Sequence, residues 1–148
     1  MLCIIPKTFI PNYGEFYENR WFTSFDHDSV SEIDVFGTGE KIPFGKNIII
    51  QDKNDSLVRI SCEICEDLWV PLSPSTMHAI NGTTVIANLS ASNEVVGKAA
   101  YRKILVGAQS AKSICAYIYS NAGHDESTTD LIFSGHSIIA ENGYSFHI

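Results

Sequence analysis

Cys65 has the setting of a nucleophile. It closes an apolar, β-prone run, Val58-Arg59-Ile60-Ser61-Cys62-Glu63-Ile64, and precedes Glu66-Asp67-Leu68-Trp69-Val70-Pro71, where the chain must turn. A thiol at a strand-to-turn elbow stands at a sheet edge beside free backbone N–H groups, which stabilise an oxyanion and lower a thiol pKa. Those are the parts of acyl transfer through cysteine. A buried structural cysteine fits the same run, and position alone leaves both readings open. Cys62 and Cys65 also form a Cys-x-x-Cys. Three steps along a strand send the two side chains to opposite faces, which argues against a redox pair. Cys3 and Cys115 supply no second pair for a structural zinc, and the five histidines lack ligand spacing, so no metal site is expected.

Lys7 follows Pro6 and precedes Thr8-Phe9-Ile10-Pro11-Asn12-Tyr13-Gly14-Glu15. It reads either as a snorkelling surface lysine or as a cation held over the active site with Glu15 as its partner. Glu66 and Asp67 read as a carboxylate pair or as turn caps. His124-Asp125-Glu126 reads as an acidic loop, with metal binding as the other reading.

These side chains need a scaffold. Residues 2–6 predict a short buried strand, 11–14 a turn, and 15–22 one or two helical turns. Gly37, Gly39, Pro43 and Gly45 mark a long irregular connection. Strands are expected at 47–51 and 56–63, joined by a hairpin loop at 52–55. A helix over 75–81 ends at Gly82, and a strand covers 84–88. Ala100, Ile104, Ala108 and Ala111 have helical spacing within a helix over 98–112. Strands follow at 115–119, 131–133 and 137–140, then a hairpin turn at 141–144 and a strand running to residue 148. Strand, helix, strand, helix, strand is the pattern of an α/β sheet covered by helices, and the hairpins make that sheet mixed.

Composition sets the outer bounds. The chain has 148 residues, 45% of them hydrophobic, enough for one domain with a real core and no staples. Ten basic against 17 acidic residues give a net charge of −7, which disfavours nucleic acid as a partner. No apolar run reaches the ~18 residues of a membrane helix, and the N-terminus lacks the features of a secretory signal. Four cysteines in apolar stretches suit a reducing cytoplasm.

Taken together, Ile-Pro-Lys-Thr-Phe-Ile-Pro-Asn-Tyr-Gly-Glu (5–15) and Cys-Glu-Asp-Leu-Trp-Val-Pro (65–71) resemble the nitrilase (carbon–nitrogen hydrolase) superfamily. More narrowly, they resemble the glutaminase domain of glutamine-dependent NAD⁺ synthetases. The segments 87–94, 126–131 and 135–143 are similar to that branch as well, so the resemblance runs in order along nearly the whole chain. It implies a partial nitrilase-like α-β-β-α sandwich over residues 1–148, truncated at both ends and without a synthetase domain. It implies that Cys65 attacks the side-chain amide of L-glutamine through a thioester. Lys7 and the Glu66 N–H would hold the oxyanion, and Glu15 would be the second glutamate, orienting lysine and substrate. Tyr13, Glu66, Ser92 and Lys98 would grip the glutamine. Lys98 stands where some members carry arginine, and a lysine loses the bidentate fork. The family's general-base glutamate lies upstream of the lysine strand, outside this chain. No cofactor is expected here, with ATP and Mg²⁺ belonging to the synthetase domain. A homo-oligomer is the expected assembly of the complete enzyme. The alternatives are a non-catalytic fragment and a general nitrilase-like amidase unconnected with NAD synthesis.

Overall fold

A computed structural model describes residues 1–147, so the last residue of the expected terminal strand, Ile148, lies outside the described residues. The strands are β1 (Ser31–Asp34), β2 (Lys41–Phe44), β3 (Ile50–Gln51), β4 (Arg59–Ile64), β5 (Val85–Ser90), β6 (Ala116–Asn121), β7 (Ile138–Glu141) and β8 (Tyr144–His147). The helices are α1 (Pro74–Ile80) and α2 (Lys98–Ser113), with short 3-10 turns at Glu18–Arg20, Cys65–Leu68 and His124–Glu126.

β3 to β8 form one mixed sheet in chain order, and β1 pairs with β2 in a separate antiparallel ribbon. β4, β5 and β6 are parallel, linked by crossovers through α1 and α2, while β3, β7 and β8 join antiparallel. The register explains the core. Ile86 pairs with Tyr117 and Asn88 with Tyr119, and Tyr117 and Tyr119 pair in turn with Ala140 and Ile138. Alternate residues therefore line one face, and this face packs with Leu68, Val106 and Cys115, flanked by Ala79 and Leu105 from the helices. Asn142 and Gly143 both have positive φ, which closes the β7–β8 hairpin as a type I′ turn. A Cβ on Gly143 would meet the Ala111 side chain at 3.1 Å, so glycine also lets α2 rest on the turn.

Several expectations are corrected. Residues 2–6 form no strand: only Ile4 makes an isolated bridge, to Phe44. The expected irregular connection contains the β1–β2 hairpin, and Pro43 lies inside β2. Residues 131–133 carry no strand, and 15–22 hold only the 3-10 turn Glu18–Arg20. The strand expected over 47–51 shrinks to Ile50–Gln51. Helix α2 forms where its apolar spacing predicts, yet Ala100, Ile104, Ala108 and Ala111 face solvent. Its buried face carries Arg102, Val106, Gly107, Gln109 and Ser110 instead.

Candidate active site

The C-terminal ends of β4, β5 and β6 converge, which is where open α/β sheets place their ligands. Cys65 is the first residue past β4 and opens the 3-10 turn Cys65–Leu68. Its φ is +48°, a left-handed value that is uncommon for a residue with a Cβ. The elbow is therefore sharp, and the half-buried thiol leads a turn whose first N–H groups have no partner within it. Asp67 fastens this turn. One carboxylate oxygen accepts the Ile64 N–H at 2.8 Å, and the other accepts the Phe9 N–H at 2.9 Å. The first bond is half of a capping box. The second brings the segment that carries Lys7 to the elbow.

Around Cys65 the structure collects most of the sequence-derived candidates. The Tyr13 hydroxyl donates to the Glu66 carboxylate at 2.9 Å. Burial, that bond, and the charges of Glu66, Cys65 and Glu15 push the Tyr13 phenol up to about 12. Lys98 donates to the Asn93 side-chain oxygen, and the Asn93 amide donates to Glu15, giving a chain Lys98–Asn93–Glu15. The Lys98 ammonium also lies 5.3 Å from the Trp69 ring centre and 5.8 Å from that of Phe16, within cation–π range. Burial lowers the Lys98 pKa, and Arg102 lowers it further, against Glu15, Cys65 and Glu94. Ser92 follows β5. Its N–H donates to the Asn121 side chain at 2.8 Å, and Asn121 returns a bond to the Ser92 carbonyl. The Ser92 and Tyr119 hydroxyls are buried next to one another at the C-terminal ends of β5 and β6. Burial raises the Tyr119 phenol pKa, the Ser90 and Ser92 hydroxyls oppose the rise, and the Cys65 charge adds to it.

Lys7 differs from expectation. Its ammonium pairs with Glu18 at 2.7 Å, and the Glu15 carboxylate is engaged by Asn93 instead. The 3-10 turn at Glu18–Arg20 brings Glu18 back onto Lys7, which no spacing rule anticipates. Lys7 is nonetheless close enough to Asp67 to lower its carboxyl pKa.

A cavity of about 200 Å³ opens beside this cluster, lined by Glu15, Phe16, Glu18, Ala91 and Phe133 among others. A larger one, about 840 Å³, is lined by Thr8, Phe9, Lys46 and His78 among others, and none of the candidate residues lines it. Among the described residues, no cluster of three or more His, Cys, Asp or Glu is arranged to hold a metal ion. No helix among them is long and apolar enough to cross a membrane. The linking residues Glu18, Asn93, Tyr119 and Asn121 were not singled out from sequence, whereas Asp67, read there as one of a carboxylate pair or as a turn cap, caps the turn. Asn93 and Asp67 lie inside the family-like segments, so a signal existed for them. For Glu18, Tyr119 and Asn121 the signal is tertiary.

No family model matches the chain. A curated relative, the glutamine-dependent NAD(+) synthetase of Mycobacterium leprae, is 39% identical over 144 residues, covering 97% of this chain and 21% of its own length. A crystal structure of a glutamine-dependent NAD(+) synthetase from Cytophaga hutchinsonii superposes with a TM-score of 0.79 at 33% identity, over 95% of this chain and 21% of that one. The chain is homologous to part of the glutamine-dependent NAD(+) synthetases. It spans about a fifth of the length of those relatives. An amidase of the nitrilase superfamily from Nesterenkonia matches at 16% identity with a TM-score of 0.62, over 94% of this chain and 42% of that one. The chain thus has the fold shared by these nitrilase-superfamily structures, a mixed sheet with helices packed on it.

Proposed function

We propose that residues 1–148 are part of a glutamine amidohydrolase domain that supplies ammonia to an NAD⁺ synthetase for amidation of deamido-NAD. The observation that carries this reading is the Cys65 elbow, with Tyr13, Glu66, Lys98 and the Lys7 segment gathered round it. The Cys65 thiolate attacks the side-chain amide carbon of glutamine, and the carbonyl π pair moves onto oxygen. The Glu66 N–H and Lys7 hold that oxyanion. The C–N bond then breaks, nitrogen takes a proton and leaves as ammonia, and water hydrolyses the thioester to glutamate and free thiol. Glu15 orients the cationic partners, and Lys98, Tyr13, Glu66 and Ser92 grip the amino-acid end.

A general-base glutamate completes such a site, and general-base assistance is worth roughly 10²–10⁴ in rate. ATP and Mg²⁺ serve a synthetase domain on the same polypeptide, the complete enzyme is a cytoplasmic homo-oligomer, and no cofactor binds to this segment.

The test uses the natural protein that carries residues 1–148. Cys65→Ala is expected to abolish glutamine-driven synthesis while free ammonia still supports it. Glutamine-driven turnover retained by this variant would refute the nucleophile. Hydrolysis of simple amides with no preference for glutamine would favour a general amidase.

A further inference from the structure

We propose that Asp67 is a positioning residue that locks the Cys65 elbow to the Lys7 segment, one carboxylate oxygen on each backbone. The proposal rests on the glutaminase reading, in which the thiol and the Lys7 cation must meet one carbonyl. Asp67 is 1% exposed, so its carboxylate is reserved for protein partners. Its two oxygens accept from Ile64, immediately before Cys65, and from Phe9, two residues after Lys7. Phe9 and Asp67 are 58 positions apart, and this part-buried bond joins the two segments through the backbone, beside the exposed Tyr13–Glu66 bond. Two acceptors on one rigid group fix the distance between nucleophile and cation, and a misplacement of ~1 Å can cost ~10²-fold in rate.

The groups facing this carboxylate are Glu63 from β4 and Lys7 from the tied segment, with Cys65 and Glu66 on its own turn. Burial pushes the Asp67 carboxyl up to about 6, opposed by the Ile64 and Phe9 N–H bonds and by Lys7, while Glu63 adds to the rise. Near neutral pH both oxygens accept. Protonation turns one of them into a donor and releases one of the two N–H groups.

Asparagine has one acceptor oxygen, so Asp67→Asn removes one tie at every pH. In the natural protein that carries this chain, Asp67→Asn should lower glutamine-driven kcat by about 10- to 100-fold at pH 7.5. The KM for glutamine should move by less than about threefold, and the acid limb of the kcat profile near pH 6 should flatten. A kcat within twofold of wild type, or an unchanged acid limb, would overturn the proposal. Should the variant misfold, the wild-type protein still provides a test by hydrogen exchange. The Phe9 and Ile64 amides should each exchange at least tenfold more slowly than their intrinsic rates at pH 7.5. Exchange of either amide at its intrinsic rate would refute the tie. Cys65→Ala, run in parallel, reports separately on the glutaminase reading, because its failure leaves the exchange result untouched.

Discussion

At the scale of single residues, Cys65 combines a reactive group with an unfavourable backbone. A left-handed φ costs a residue with a Cβ about 1–2 kcal/mol, and Cys65 sits there at +48°. The strain is the cost of exposing a thiol at the head of a turn with free N–H groups. Comparing two inert variants tests it. At an ordinary φ, glycine is less stable than alanine by roughly 0.5–1 kcal/mol. At Cys65 the strain relief offsets that loss, so Cys65→Gly should equal Cys65→Ala or exceed it by up to about 1 kcal/mol. Urea unfolding of both variants measures the difference. A glycine variant clearly weaker than the alanine one would mean that the elbow is unstrained.

At the scale of elements, β4 and β6 are fastened by polar groups as well as by their core. Glu63 is buried beside α1, where one oxygen accepts the Ser75 N–H at 2.9 Å and the other accepts the Tyr117 hydroxyl. Tyr117 accepts in turn from the Asn88 side chain of β5 at 3.0 Å. Burial and the Glu63 charge hold the Tyr117 phenol well above its ordinary pKa, so it remains a donor. Tyr117→Phe deletes the donor and leaves a buried carboxylate oxygen unpaired. Hydrogen bonds to charged groups are worth about 1.5–3 kcal/mol, so a loss of at least that size is expected in urea unfolding. A loss below about 0.5 kcal/mol would mean that the carboxylate has other partners. The same network shows why the sequence was only partly legible. The β-branched run of β5, the apolar run of β6, Gly82 after α1 and the Asn142-Gly143 turn are local signals, and each lands where it was expected. The β1–β2 hairpin was hidden because Pro43 reads as a breaker. In place it needs no N–H, and its carbonyl accepts the Ile4 N–H at 2.9 Å. Helix α2 buries a polar face because distant segments satisfy it: Glu94 and His136 meet Arg102, and Ser73 and Ser75 meet Gln109. Apolar periodicity located the helix and gave the wrong face. In the site, Cys65, Tyr13, Glu66, Ser92 and Lys98 were legible as motif residues. Glu18 was not, because a tertiary contact gives Lys7 its partner.

At the scale of the whole molecule, two buried titratable groups give the stability opposite slopes with pH. Asp67 has a folded pKa of about 6, raised chiefly by burial, against about 3.9 when unfolded. A raised carboxyl binds its proton more tightly in the folded state. Its contribution is therefore fully present below about pH 4 and is lost as the pH rises through about 6. That difference in proton affinity corresponds to about 3 kcal/mol at most. His78 works the other way. It is buried against the Lys46 carbonyl at 2.9 Å, its other ring nitrogen has no partner among the described residues, and burial lowers its pKa. The unfolded imidazole takes a proton below about 6.5, so His78 removes stability as the pH falls through that value. Single variants separate the two slopes. Urea unfolding of wild type, Asp67→Asn and His78→Gln at pH 7.5, 6 and 5 should show Asp67→Asn losing stability with acid more steeply than wild type. His78→Gln should lose it less steeply. The Asp67 difference should grow mainly below pH 6, and the His78 difference should begin near 6.5. Parallel curves for all three proteins would mean that neither group changes its proton affinity on folding. The acid response would then belong to the surface carboxylates, of which a chain with 17 acidic residues has many.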